Sequence, residues 1–200
     1  MLFLYYIRFI NSGLDNIQML KSKNKRELTE REKKLNEYYW KCFLSEFSKM
    51  CIFLVIFLFI DLTREYFFAL LYLMVLRNNG GGLHCKHYIS CLLVSFAFLY
   101  SSILLAIHVT PAKPFACISV LLCTLLGYLF VPITSSNRPP ATPVQIAKCK
   151  RNTTIIMLLF FVLICLCHYN TYILIGYWTI ILHILQLIIA HVIKGVKIHA

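Results

Sequence analysis

The sequence predicts an all-α fold: a polytopic integral membrane protein with about six transmembrane helices and both termini cytoplasmic, preceded by an N-terminal amphipathic segment. Three observations predict it. Of 200 residues, 60% are hydrophobic and only 14% are charged, with a mean hydropathy of +0.73. A soluble domain of this size has no core large enough to hide so much apolar surface. The apolar residues fall in runs able to cross a hydrocarbon layer ~30 Å thick, where backbone groups must pair within the segment and helices result. The basic residues gather between those runs on one side. Disordered, collagen-like and secreted disulfide-scaffold classes are excluded. Among the nine cysteines, Cys51, Cys123, Cys165 and Cys167 sit inside apolar runs, where cysteine acts as a small hydrophobe.

Residues 1–41 read as an interfacial and amphipathic cytoplasmic segment. The apolar stretch 1–10 is too short to span. No basic region precedes it, so an interfacial anchor fits better than a signal peptide. Residues 21–41 are charge-dense and read as a surface helix. Thr29 and Glu32 have capping-box spacing. Leu28, Leu35, Tyr38, Tyr39 and Trp40 form its apolar stripe, and the aromatics suit a membrane interface.

Residues 42–200 form the membrane-embedded domain, with spans expected at about 42–60, 66–76, 88–109, 115–131, 153–169 and 172–192. The stretch Met50–Leu76 is apolar except for Asp61, Arg64 and Glu65, and is either one long helix or two helices turning at 61–65. Charge placement chooses the hairpin. With it, every Lys and Arg except Arg64 and Lys113 falls on the cytoplasmic side. A single span would put the basic N-terminal segment and the Arg138–Arg151 stretch on opposite sides. Lys49, near the start of the first span, reads as snorkelling to the interface. Breaks at Thr110–Pro114 and Pro132–Arg151 separate the later runs. The turn 77–87 and the basic loop 132–152 then meet at the cytoplasmic face.

All eight carboxylates lie in the first 65 residues, and beyond them the chain carries Lys and Arg but no acid. Chemistry there must use Cys, His, Ser, Thr, Lys or Arg. The net charge of +12 points to an anionic partner, either lipid headgroups of the bilayer or an acidic peptide. No nucleic-acid partner is expected.

The segment richest in chemistry follows Arg77. Gly80, Gly81 and Gly82 are consecutive and permit a tight, non-helical turn. His84, Cys85 and His87 follow, and Cys91 comes about one turn into the next helix. A cysteine nucleophile needs a base near enough to form a thiolate–imidazolium pair. His87 and Cys91, four apart, are neighbours on a regular helix. His84, seven before Cys91, reaches it only if the glycine turn folds back. By geometry alone neither histidine wins. His84, Cys85, His87 and Cys91 also suggest a metal site, although their spacing fits no standard zinc pattern. From chemistry alone a Cys/His enzyme, a metal site and a plain membrane interface stand level. His108 falls at the opposite membrane face, and His168, His183, His191 and His199 find no partner in the pattern.

Arg77-x-x-x-Gly81-Gly82-x-His84, with Cys91 seven residues after the histidine, resembles the signature of the accessory gene regulator protein B family. These are membrane-embedded cysteine endopeptidases of Gram-positive quorum-sensing systems. Val131–Pro132, then Arg138–Pro139–Pro140 and the basic Lys148–Cys149–Lys150–Arg151, is similar to that family's proline-flanked basic loop. The resemblance covers about residues 30–190. Where the family often carries a glutamine and an asparagine near the first span, this chain has Lys41 and Glu46.

The resemblance implies that Cys91 is the nucleophile and His84 the base. It implies that Arg77, Gly81, Gly82 and Arg138 contact substrate. The substrate would be a small ribosomal pro-peptide with an acidic C-terminal tail, cleaved through an acyl-thioester and then cyclised to an autoinducer. No cofactor or metal is expected. The resemblance further implies a multi-pass protein of the bacterial cell membrane, its active site at the cytoplasmic face, and a homodimer. Rival readings are a non-enzymatic module that binds or exports a peptide, and a metal-binding membrane protein.

Overall fold

The computed structural model describes residues 30–81, 87–131 and 143–198. Among them the chain is wholly helical. Six helices follow one another: α1 Glu30–Phe59, α2 Thr63–Gly80, α3 Tyr88–His108, α4 Lys113–Phe130, α5 Pro143–Leu166 and α6 Thr171–Ile198. Four of them, α3, α4, α5 and α6 as far as Val192, are long and apolar enough to cross a membrane.

The chain divides into two units, Met1–Ser48 and Lys49–Ala200. In the first, the aromatic stripe continues beyond Trp40. Trp40 meets Phe43 edge-on at 5.8 Å and Phe43 stacks on Phe47 at 6.2 Å. All three rings are exposed.

In the second unit, the stretch between Met50 and Leu76 is two helices. Asp61 takes a left-handed conformation at φ 55. This conformation is uncommon outside glycine, and aspartate tolerates it better than most residues. The Leu62 N–H donates to the Phe57 carbonyl at 3.0 Å and the Asp61 N–H to Leu58 at 3.4 Å. That pair of bonds is the Schellman closure, which satisfies carbonyls a helix end leaves orphaned. The Thr63 hydroxyl donates to the same Phe57 carbonyl at 3.3 Å.

At the other breaks, Pro114 sits in the first turn of α4, where a missing N–H costs nothing. The Asn170 side chain accepts the Ile173 N–H at 2.9 Å and caps α6. Helix α5 differs from expectation. It begins at Pro143 rather than near Thr153, so Lys148, Lys150 and Arg151 stand on a helix instead of in a loop. Lys150 places its ammonium 5.0 Å from the Tyr128 ring centroid.

Helix α6 is the axis of this unit. It packs against α2, α3 and α4, and 67% of its apolar stretch is buried, against at most 28% for the other candidate spans. One side, with Ile173, Tyr177, Ile180, Ile184 and Leu187, joins a core shared with Ala116, Val120, Met157 and Phe160. Another side, with Leu174 and Ile175, joins a second core built on Phe53, Phe57, Tyr66, Leu99 and Ile103. Gly176 allows the closest approach. A Cβ there would fall 2.6 Å from the Phe160 ring and 2.8 Å from the Tyr72 ring. Small residues at such crossings let membrane helices pack without a hydrophobic drive between them. Ile118, Leu122, Leu125 and Leu129 form an exposed stripe along α4, the pattern expected of a face turned to lipid.

Candidate functional site

The site is built from the end of α2 and the start of α3. Helix α2 ends at Gly80 because Gly81 turns out of it, with φ 77 and ψ −157. That backbone region is essentially confined to glycine. The Gly81 N–H still donates to the Arg77 carbonyl at 3.0 Å. Arg77, half-buried, occupies the last turn of α2, where a cation complements the helix dipole.

Two contacts hold this end in place. The Asn152 amide of α5 donates to the Asn79 side-chain carbonyl at 3.2 Å, and Asn79 in turn donates to the Val75 carbonyl at 3.3 Å. Behind Gly80 lies His183 of α6, fully buried at 0% exposure. Its Nε2 stands 2.9 Å from the point where a Gly80 Cβ would be. Neither ring nitrogen of His183 has a hydrogen-bond partner among the described residues. Arg77 is close enough to His183 to act on it through its charge.

Helix α3 starts after His87, whose extended backbone (φ −99, ψ 139) places it at the N-cap. The His87 carbonyl accepts the Cys91 N–H at 3.1 Å. Its imidazole is exposed, whereas Cys91 is buried at 7% exposure. Their recorded bond is therefore between main-chain atoms, even though the two residues are four apart.

A side chain from α1 reaches Cys91. Lys49 is itself buried at 3% exposure. Its ammonium donates to the Cys91 Sγ at 3.5 Å across 42 residues of sequence. This departs from the snorkelling role expected of Lys49. The stem runs into the protein instead of out to the interface, because a buried cation needs a polarisable or anionic acceptor and Cys91 supplies one. Sequence reasoning missed this residue as part of the site. The sequence signal was weak, a lysine standing one residue before the apolar run Met50–Ile60.

Of the residues predicted to form the site, Cys91, Arg77 and Gly81 are placed as above. His84, Gly82 and Arg138 lie outside the described residues, as do Cys85 and Lys86. The structure adds Lys49, Asn79, Asn152, Gly80 and His183 to the neighbourhood.

Comparison with known proteins agrees with the motif. The sequence model of the Accessory gene regulator B family (AgrB) matches residues 16–187. A Clostridium beijerinckii protein named as AgrB-like is 29% identical over 126 residues. The matched region is 62% of this chain and 63% of that relative. No solved structure matches the chain. With the family match running from the N-terminal segment into α6 and enclosing the glycine turn and Cys91, the chain belongs to the accessory gene regulator B family.

Proposed function

We propose that this protein is a membrane-embedded cysteine endopeptidase that removes the C-terminal part of a quorum-sensing pro-peptide and supports cyclisation of the remainder. The observation that carries this reading is Cys91. It lies at the motif position, in the first turn of a membrane-spanning helix, buried but hydrogen-bonded through its sulfur. A cysteine that merely packs needs no cation at its sulfur.

In the proposed reaction the Cys91 thiolate attacks the scissile carbonyl. His84 takes up the thiol proton and returns it to the leaving amine. The C–N bond breaks, the acidic tail departs, and a thioester joins the pro-peptide to Cys91. An internal thiol of the pro-peptide then displaces Cys91, closing a thiolactone. That second step exchanges one thioester for another and is close to isoenergetic, whereas hydrolysis runs strongly downhill. Ring closure therefore depends on keeping water out, and burial of Cys91 serves that need.

The rest of the reading follows from the resemblance and charge placement. All six helices span the bacterial cell membrane, both termini are cytoplasmic, and the active site opens at the inner face. Gly81 and Gly82 let the turn approach the peptide backbone, while Arg77 and Arg138 attract its acidic tail. Anionic headgroups surround the same basic rim, and the protein acts as a homodimer.

The test is co-expression with the cognate pro-peptide, followed by mass spectrometry of the cleaved product. Processing is expected to vanish in Cys91→Ser and His84→Ala and to persist in His87→Ala. Processing by Cys91→Ser would overturn the peptidase reading and return the protein to a peptide-binding or export role.

A further inference from the structure

We infer that Lys49 is a third catalytic group, the counter-ion that holds the Cys91 sulfur as a thiolate within the membrane-embedded core. The inference rests on the peptidase reading and adds to it a residue that the glycine–histidine–cysteine motif does not contain.

The argument begins with burial. A lysine has a long flexible stem and normally extends its ammonium to water. Lys49 does the opposite, with 3% of its surface exposed and its ammonium 3.5 Å from the Cys91 sulfur. A buried ammonium is stable only with an acceptor that offsets its desolvation. The Cys91 sulfur is one such acceptor, and its thiolate, the nucleophilic form, accepts more strongly than the thiol.

Position supports the same reading. Lys49 approaches from α1, an element distant in sequence from the motif that precedes α3. The placement of Lys49 is held by the next residue and by one a turn further on. The Tyr66 hydroxyl donates to the Met50 carbonyl at 3.1 Å, and Phe53 packs on Phe96 of α3 at 5.8 Å. These contacts tie α1 to α2 and α3 directly beside the Lys49–Cys91 pair. Among the described residues of this unit, the titratable side chains at this end of the helices packed against α3 include Lys49 of α1, Arg77 of α2 and His183 of α6. His87 belongs to Cys91's own helix. Lys49 is joined to Sγ by a hydrogen bond.

The roles divide cleanly. A base removes the thiol proton, and Lys49 keeps its own proton throughout. Before attack its charge balances the sulfur. As the C–S bond forms, negative charge moves from sulfur to the carbonyl oxygen two bonds away, still within reach of the ammonium. When the C–N bond breaks, the oxygen returns to a carbonyl and the proton taken from the thiol goes to the amine. In a site that excludes water, such a fixed charge replaces the solvation the thiolate would otherwise lack.

The test is the rate of Cys91 alkylation by iodoacetamide, a neutral reagent, measured against pH. The full-length protein is used in membrane vesicles, and modification at Cys91 is read by peptide mass spectrometry. The variants are Lys49→Met, which keeps the stem and loses the charge, and Lys49→Arg, which keeps the charge. Lys49→Met is expected to react about tenfold or more slowly than wild type at neutral pH and to converge with it at alkaline pH. Lys49→Arg is expected to stay near wild type at both. Alkylation of Lys49→Met at the wild-type rate across the pH range would overturn the inference. So would an equal loss in both variants that persists at alkaline pH, since that marks a structural role. Because alkylation needs no pro-peptide, this outcome is separate from the peptidase reading, which stands or falls on processing by Cys91→Ser.

Discussion

The His183 Nε2 of α6 occupies the space beside Gly80 at the end of α2, 2.9 Å from where a Cβ would stand. No real Cβ sits that close to a ring nitrogen, so the last helix and the glycine turn are fitted to one another through these two residues. Gly80→Ala is expected to destabilise the protein by about 1–3 kcal/mol, the usual cost of overpacking, and to reduce pro-peptide processing. His183→Ala alone opens a cavity and costs stability of its own. In the double variant the added methyl enters the vacated space, so the two losses should fall short of their sum. Thermal unfolding of the four proteins in detergent measures the coupling. Strict additivity would show that the contact is not felt.

Gly81 fails for a different reason. Its φ of 77 with ψ near −157 is closed to residues bearing a Cβ, whatever space surrounds them. Gly81→Ala should cost about 1–3 kcal/mol locally, and the turn leading toward His84 should lose its course. Processing is expected to drop sharply, while Asn78→Ala, at an exposed neighbouring position, retains it. Equal activity of the two variants would show that the turn's conformation does not matter to the site.

The amide pair Asn79–Asn152 links α2 to α5 immediately before the turn. Loss of one partner leaves the other half-buried amide short of a bond, at about 1–3 kcal/mol. Asn152→Ala and Asn79→Ala should each lower the unfolding temperature, and the double variant should be little worse than either single one. The measurement is again a double-mutant cycle by thermal unfolding, with processing rates alongside.

These residues also show how far the sequence could be read. The helices were legible because apolar runs in lipid have no alternative. The break within Met50–Leu76 was legible because Asp61, Arg64 and Glu65 interrupt the run and the basic residues demand a hairpin. Helix α5 was misjudged at its start. Lys148, Lys150 and Arg151 suggested a loop, although Pro143 is well suited to the first position of a helix. The motif singled out Cys91 as the proposed nucleophile, but it gave no sign that Lys49 lies beside it. A lysine near the start of a span looks like a snorkelling residue, and only the tertiary fold brings it across 42 positions to the sulfur. Gly80 stood in the motif as an unspecified position, and His183 had no partner in sequence, because each explains the other only when α2 and α6 are packed.

Arg77 carries the prediction about substrate. It stands in the last turn of α2 on the chain that leads into Gly81, half-buried, and has a structural role as the cation at a helix C-terminus. A loss of activity in Arg77→Glu would therefore not separate helix stability from recognition of the acidic tail. Neutralising the charge on both partners does. The pro-peptide is prepared with its native acidic tail and with the tail's Asp and Glu replaced by Asn and Gln. If Arg77 attracts the tail, wild type should prefer the acidic form by about tenfold in kcat/KM at low salt, and the preference should shrink as salt screens it. Arg77→Gln should lose that preference while processing the neutral form about as well as wild type does. Arg77→Lys should keep most of it. A preference that survives in Arg77→Gln would assign tail recognition to other cations, and leave Arg77 to hold the turn.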